Sequence, residues 1–188
     1  MKSAKPKVIV IGGSAGSFQV VSQILSQLKH PFPIPVFLCL HRLKSVNSGF
    51  DEALGLNTSH TIIEPHDKQM IKGNRIYLAP ANYHMLAEIG NTITLSVDEI
   101  YRYSRPSIDI TFDSFSYVYG NRMIGIILSG ANSDGAAGLY KAFQRGSYTV
   151  VQDRAEAVAK TMIDSTLKLF TPHMVAGTEE IIRMLNDL

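Results

Sequence analysis

Val8-Ile9-Val10-Ile11-Gly12-Gly13-Ser14-Ala15-Gly16-Ser17 is the stretch on which the fold turns. Four consecutive aliphatic residues without polar alternation fit a strand buried on both faces. The glycines that end it fit a tight turn. Helical periodicity begins at once: Phe18, Val21, Ile24, Leu25 and Leu28 share one face of a helix expected over about 17–28, and Pro31 and Pro33 stop it. A buried strand, a glycine turn and an amphipathic helix are the opening unit of a parallel α/β sheet.

The alternation resumes downstream. Val36-Phe37-Leu38-Cys39-Leu40 reads as a second buried strand with His41 at its end. Residues 42–60 read as loop with a helical turn near 50–54. Arg75-Ile76-Tyr77-Leu78 is a strand running into Pro80. Residues 84–88 and 92–96 flank Gly90-Asn91, a hairpin signal. Ser107 is placed to cap a helix reaching about 119, with Asp109 in its first turn and Ile108, Phe112, Phe115 and Tyr119 as the buried stripe. A strand over 123–128, a turn over 129–135 and a helix over about 134–145 follow, with Leu139, Ala142 and Phe143 inward. A strand at 149–151 and helices near 164–170 and 178–188 complete the chain, the last capped by Thr178 with Glu179 and Glu180 in its first turn. The expected fold is α/β: three layers, a doubly wound and mostly parallel sheet with helices on both faces, and a small antiparallel hairpin.

Composition narrows the function. The chain has 188 residues, 45% hydrophobic and 18% charged, with a net charge of +2. That length suits one domain with a sizeable core. A charge so close to balance excludes a strongly basic nucleic-acid module as the default. One cysteine, Cys39, excludes an internal disulfide framework and a multi-cysteine metal site. No apolar run approaches about 18 residues. The basic start is followed by only four apolar residues, short of the roughly seven a signal core needs. The expected location is the cytoplasm.

Sheets of this kind bind ligands beyond the carboxyl ends of their strands. Three such ends present Ser14, His41 and the turn Ser129-Gly130-Ala131-Asn132-Ser133-Asp134-Gly135. A hydroxyl, an imidazole and a carboxylate are the inventory of a serine hydrolase. Serine is a poor nucleophile until a base takes its proton, and histidine suits that task near neutrality. Gly12-x-Ser14-x-Gly16 matches the nucleophile-elbow pattern, with a strand before and a helix after. The order serine, histidine, acid differs from that of the α/β-hydrolases, so a different fold converging on the same groups is required.

The chain resembles the catalytic domain of the chemotaxis protein-glutamate methylesterase family. The resemblance is carried by Val10-Ile11-Gly12-Gly13-Ser14-Ala15-Gly16, Leu40-His41, Tyr77-Leu78-Ala79-Pro80, His84-Met85-Leu86, Arg105-Pro106-Ser107-Ile108-Asp109, the segment 127–136 and Val151-Gln152-Asp153, collinear from about Val8 to the C-terminus. It implies a single catalytic domain over 1–188 and a triad of Ser14, His41 and Asp134. It implies hydrolysis of glutamyl methyl esters on the cytoplasmic region of chemoreceptors with release of methanol, and deamidation of receptor glutamines. The backbone N–H groups of Ala131 and Ala15 are the oxyanion candidates it suggests. No metal or organic cofactor is called for, and neither nucleic acid nor membrane insertion. Many family members begin with a receiver domain. Only seven residues precede the first strand here, so either a separate regulatory or methyltransferase partner or no such control is expected.

This sequence departs from the family where threonine is usual (Ala15), where methionine is usual (Ala131 and Arg42) and where glycine is usual (Asn132). Two other readings stay open. Gly12-Gly13-x-x-Gly16 could cradle a nucleotide phosphate, although the second strand ends in His41-Arg42 and not in an acid for a ribose. The altered Ala131 and Asn132 would also suit a non-catalytic receptor-binding domain. His84 is read as a structural histidine near the hairpin, Cys39 as a buried inert thiol, and Asp109 and Asp153 as a helix first-turn and a turn carboxylate. Arg105 is left between a solvated flank and an acidic surface contact. His66-Asp67 lacks a second pair of metal ligands, and His30, His60 and His173 read as loop or element-end residues.

Overall fold

The computed structural model describes residues 5–41, 49–101 and 104–188. Its strands are β1 (Val8–Gly13), β2 (Val36–Leu40), β3 (Thr61–Ile63), β4 (Arg75–Leu78), β5 (His84–Glu88), β6 (Thr92–Ser96), β7 (Met123–Ile127), β8 (Tyr148–Gln152) and β9 (Met174–Ala176). Its helices are α1 (Ser17–Gln27), α2 (Phe50–Gly55), α3 (Ile108–Tyr119), α4 (Ala136–Gln144), α5 (Thr161–Leu169) and α6 (Thr178–Asn186).

Every position of β1 is buried, as its unbroken aliphatic run requires. It pairs in parallel with β2 on one side and β7 on the other, at the centre of a seven-stranded sheet ordered β3-β4-β2-β1-β7-β8-β9. All pairings in that sheet are parallel. β5 and β6 form a separate antiparallel pair, closed by Gly90 and Asn91 at positive φ. The α/β architecture read from the sequence is therefore the one observed.

Period-two alternation sorts β1 between two cores. Ile9 and Ile11 join Val21, Ile24 and Leu25 of α1 and Ile181, Ile182 and Leu185 of α6. Val8 and Val10 join Phe112 and Phe115 of α3, Leu139 and Ala142 of α4 and Met162 and Ile163 of α5. Burying one such aliphatic side chain contributes roughly 1.5–3 kcal/mol. Phe112 and Phe115 are fully buried, and truncating either to alanine would cost about 3–5 kcal/mol. A Cβ on Gly12 would run into Ile108 and Phe112, so the glycine lets the start of α3 lie directly against the end of β1.

The differences from the sequence reading have local causes. β3 and β9 were unforeseen; each is a three-residue strand on an edge of the sheet. The cap of α6 is Gly177, not Thr178, which is the first helical residue and donates through both its N–H and its hydroxyl to Glu156. α4 begins at Ala136, later than expected, because Asp134 and Gly135 stay in the turn, Gly135 at φ 102°. Phe143 is half-buried, packed on Phe170 and His173. Arg42 lies outside the described residues.

Candidate active site

Strand order reverses between β1 and β7, and the crevice beyond their carboxyl ends is where an open α/β sheet holds a ligand. Ser14 follows β1, His41 follows β2, and Asp134 sits in the turn after β7. The register Gly13↔Leu40 and the bond from His41 N–H to the Gly13 carbonyl (3.0 Å) set Ser14 and His41 side by side on neighbouring strands.

The turn around Ser14 is held through its backbone. Its N–H donates to the Ser129 carbonyl at 2.9 Å, and its own carbonyl accepts from Ser17 N–H (3.0 Å) and Ser17 Oγ (2.7 Å). Gly16 adopts φ 82°, a left-handed turn that delivers the chain into α1. No acidic residue stands in the first turn of α1, so the positive end of its dipole is not offset by a side chain of that turn. Buried Ser129 ties the elbow to the opposite loop: its Oγ donates to the Ala15 carbonyl (2.7 Å) and accepts from Ala159 N–H (2.9 Å). Val158, 76% exposed, covers Gly16 closely enough that a Cβ there would strike it.

The carboxylate is bound more tightly. Asp134 Oδ2 accepts from His41 Nε2 (2.8 Å) and Ile108 N–H (2.8 Å), and Oδ1 accepts from Ser107 Oγ (2.9 Å) and Asp109 N–H (3.0 Å). The His41 side chain is 12% exposed and that of Asp134 is wholly buried. Burial opposes the charge on Asp134. The bond from His41 and the N–H groups of Asp109 and Ile108, at the dipole-positive end of α3, outweigh that and hold its pKa below the ordinary value. An ionised carboxylate only accepts, so His41 carries its proton on Nε2. Nδ1 is then the basic nitrogen, and Asn132 Nδ2 lies 3.3 Å from it. Among the described residues the Ser14 hydroxyl makes no direct hydrogen bond to the imidazole, a contact that commonly tightens only with substrate.

Two helix termini exchange carboxylates here. Asp134, just before α4, accepts from the start of α3, while Asp109 Oδ1, in the first turn of α3, accepts from the N–H of Gly135 (2.9 Å), which caps α4, and from the N–H of Gly138 (2.6 Å) within it. A Cβ on Gly138 would enter the Asp109 backbone, so that glycine sets the close approach. Ser107 caps α3 by accepting from Ile110 N–H, and its own N–H donates to His84 Nδ1 (3.1 Å), whose Nε2 reaches the Glu99 carbonyl (3.1 Å). His84 is thus a buried structural residue. The sequence placed Ser107 and Asp109 correctly on α3 but could not link them to Asp134. The one available signal was a hydroxyl and a carboxylate opening the same expected helix.

The remaining candidates fall away from the chemistry. Burial pushes the Cys39 thiol far above its ordinary pKa, with Thr111 Oγ1 at 3.5 Å. Asp153 closes a turn by accepting from Ala155 N–H, and Arg105 donates to the carbonyls of Val97 and Asp98. His60 is buried with Nε2 3.2 Å from the Leu28 carbonyl. A Cβ on Gly12 would meet Ile108 and Phe112, and one on Gly13 would meet Ser17 and Leu128, so both glycines serve close packing of the strand end. Among the described residues no cluster of three or more His, Cys, Asp or Glu could hold a metal ion, and no helix is long and apolar enough to cross a membrane.

Residues 9–185 match the sequence pattern of the family described as CheB methylesterase. The chain belongs to the CheB methylesterase family. It is similar to a Leptospira interrogans protein named, provisionally, a protein-glutamate methylesterase/protein-glutamine glutaminase, with 37% identity over 178 residues, 95% of this chain and 92% of that one. It is also similar to the protein-glutamate methylesterase/protein-glutamine glutaminase 4 of Geobacter metallireducens, 33% identical over the whole of this chain and 54% of that protein. The methylesterase FrzG of Myxococcus xanthus is 31% identical over 96% of this chain and 55% of its own length. The crystal structure of the Thermotoga maritima CheB methylesterase catalytic domain superimposes with a TM-score of 0.92 over 98% of this chain and 99% of that one, at 24% identity, which establishes a shared fold. Within the CheB methylesterase family, then, this chain presents a serine, a histidine and an aspartate at one sheet edge.

Proposed function

We propose that residues 1–188 act as one catalytic domain that hydrolyses glutamyl methyl esters on chemoreceptors to glutamate, releasing methanol, and that it also deamidates receptor glutamines. The observation that carries this reading is the His41–Asp134 pair at 2.8 Å, beside Ser14, beyond the ends of β1, β2 and β7. Family membership and the names of the relatives support the substrate class.

In the proposed mechanism Ser14 Oγ bonds to the ester carbonyl carbon as its proton passes to His41 Nδ1. Asp134 keeps the imidazole in one tautomer and stabilises the cation. The oxyanion is held by the N–H groups of Ala15 and Ala131, both on exposed residues of the two turns, and neither donates to a backbone carbonyl among the described residues. The carbon–methoxyl bond then breaks, the leaving oxygen takes the proton from Nδ1, and methanol departs. Water attacks the acyl-enzyme with His41 as base, releasing the carboxylate and restoring Ser14. The same steps on a glutamine amide release ammonia. None of them calls on a metal or organic cofactor. The substrate places the protein in the cytoplasm, and a separate regulatory or methyltransferase partner is the control we envisage.

The test uses receptor fragments methylated with labelled methyl groups. The protein is expected to release volatile label, and Ser14→Ala to remove that release while its circular dichroism stays unchanged. Undiminished release by Ser14→Ala would overturn the proposal.

A further inference from the structure

The basic nitrogen of His41 is already occupied. Nε2 donates to Asp134, which leaves Nδ1 with one in-plane lone pair, able to accept one full-strength hydrogen bond. Asn132 Nδ2 stands 3.3 Å from that atom. The orientation of the amide is fixed from its other end: Asn132 Oδ1 accepts from Asp134 N–H at 3.1 Å, a group that can only donate, so the NH2 must face the ring. The two assignments agree, since an Nδ1 without a proton can only accept and Nδ2 can only donate.

We propose that Asn132 is a positioning residue that gates the general base: its amide holds the Nδ1 lone pair in the resting state, and the Ser14 hydroxyl must displace it before the proton can move. This rests on the hydrolase reading above. Ser14 O–H and Asn132 N–H compete for one lone pair. Once Nδ1 is protonated, two donors would face each other, so the amide must turn away as the nucleophile engages. The gate restrains Ser14 until a bound acyl group draws its oxygen toward the carbonyl carbon.

Asn132→Ser keeps an oxygen able to accept from Asp134 N–H but is too short to reach His41; Asn132→Gly removes the side chain altogether. The probe is a small alkyl fluorophosphonate. Its phosphorus bonds to Ser14 Oγ, the P–F bond breaks, fluoride leaves, and the hydroxyl proton passes to Nδ1. Both variants are expected to label about 3- to 10-fold faster than the parent protein, the rate equivalent of one neutral hydrogen bond, with half-saturating probe concentration unchanged. The 15N resonance of His41 Nδ1 is expected to move downfield in both as the bond to its lone pair is lost, a readout independent of turnover. Equal or slower labelling, or an unmoved Nδ1 resonance in folded variants, overturns the gate alone. Absence of Ser14 labelling in the parent and in both variants overturns the hydrolase reading, and the gate with it.

Discussion

Asp134 and Ser14 follow adjacent parallel strands, yet the protein treats them differently. The carboxylate is wholly buried and receives four hydrogen bonds, from His41, Ser107, Ile108 and Asp109. The nucleophile is half-buried and held through its backbone, which accepts from Ser17 and donates to Ser129. The difference follows from chemistry. A buried charge must be fully partnered or it is strongly destabilising. A hydroxyl that has to give up its proton and change partners needs room to turn. One side of the site is built in advance and the other is completed by substrate.

Breaking the rigid side should have the largest effect. Asp134→Asn is expected to lower kcat on the order of 10³–10⁴-fold, since its amide no longer favours the Nε2–H tautomer and sets an NH2 against the donors of α3. The same variant tests the charge. The folded pKa of Asp134 lies below its unfolded value of about 3.9, so its contribution to stability is complete above that pH and is lost as pH falls through the folded value. Urea melts at pH 7 and pH 3 should show the gap between parent and Asp134→Asn narrowing in acid. A constant gap would mean that the charge does not matter to folding.

A smaller effect sharpens the comparison. Asp109→Ala removes the acceptor for Gly135 and Gly138 N–H without touching the triad. It should cost about 1–3 kcal/mol of stability. It should also lower kcat roughly 10- to 100-fold at unchanged KM, because Asp134 would lose its fixed place. Lost stability with full kcat would show that the site tolerates a looser carboxylate side than we describe.

The central strands were legible because Val8–Ile11 and Val36–Leu40 are unbroken apolar runs, and the hairpin because Gly90-Asn91 separates two short strands. β3 and β9 were not, since three edge residues carry too little periodicity to register. In the site, residue type and strand-end position pointed to Ser14, His41 and Asp134. The exchange between Asp109 and Asp134, and the amide of Asn132 on His41, were invisible because each depends on how α3, β2 and α4 meet in space.

Mapping fluorophosphonate labelling by mass spectrometry in the parent protein and in His41→Ala tests most directly whether His41 activates Ser14. A single adduct on Ser14, lost or slowed at least about 100-fold in His41→Ala, is the expected result. An adduct on another residue, or Ser14 labelling undiminished without the imidazole, would contradict the account.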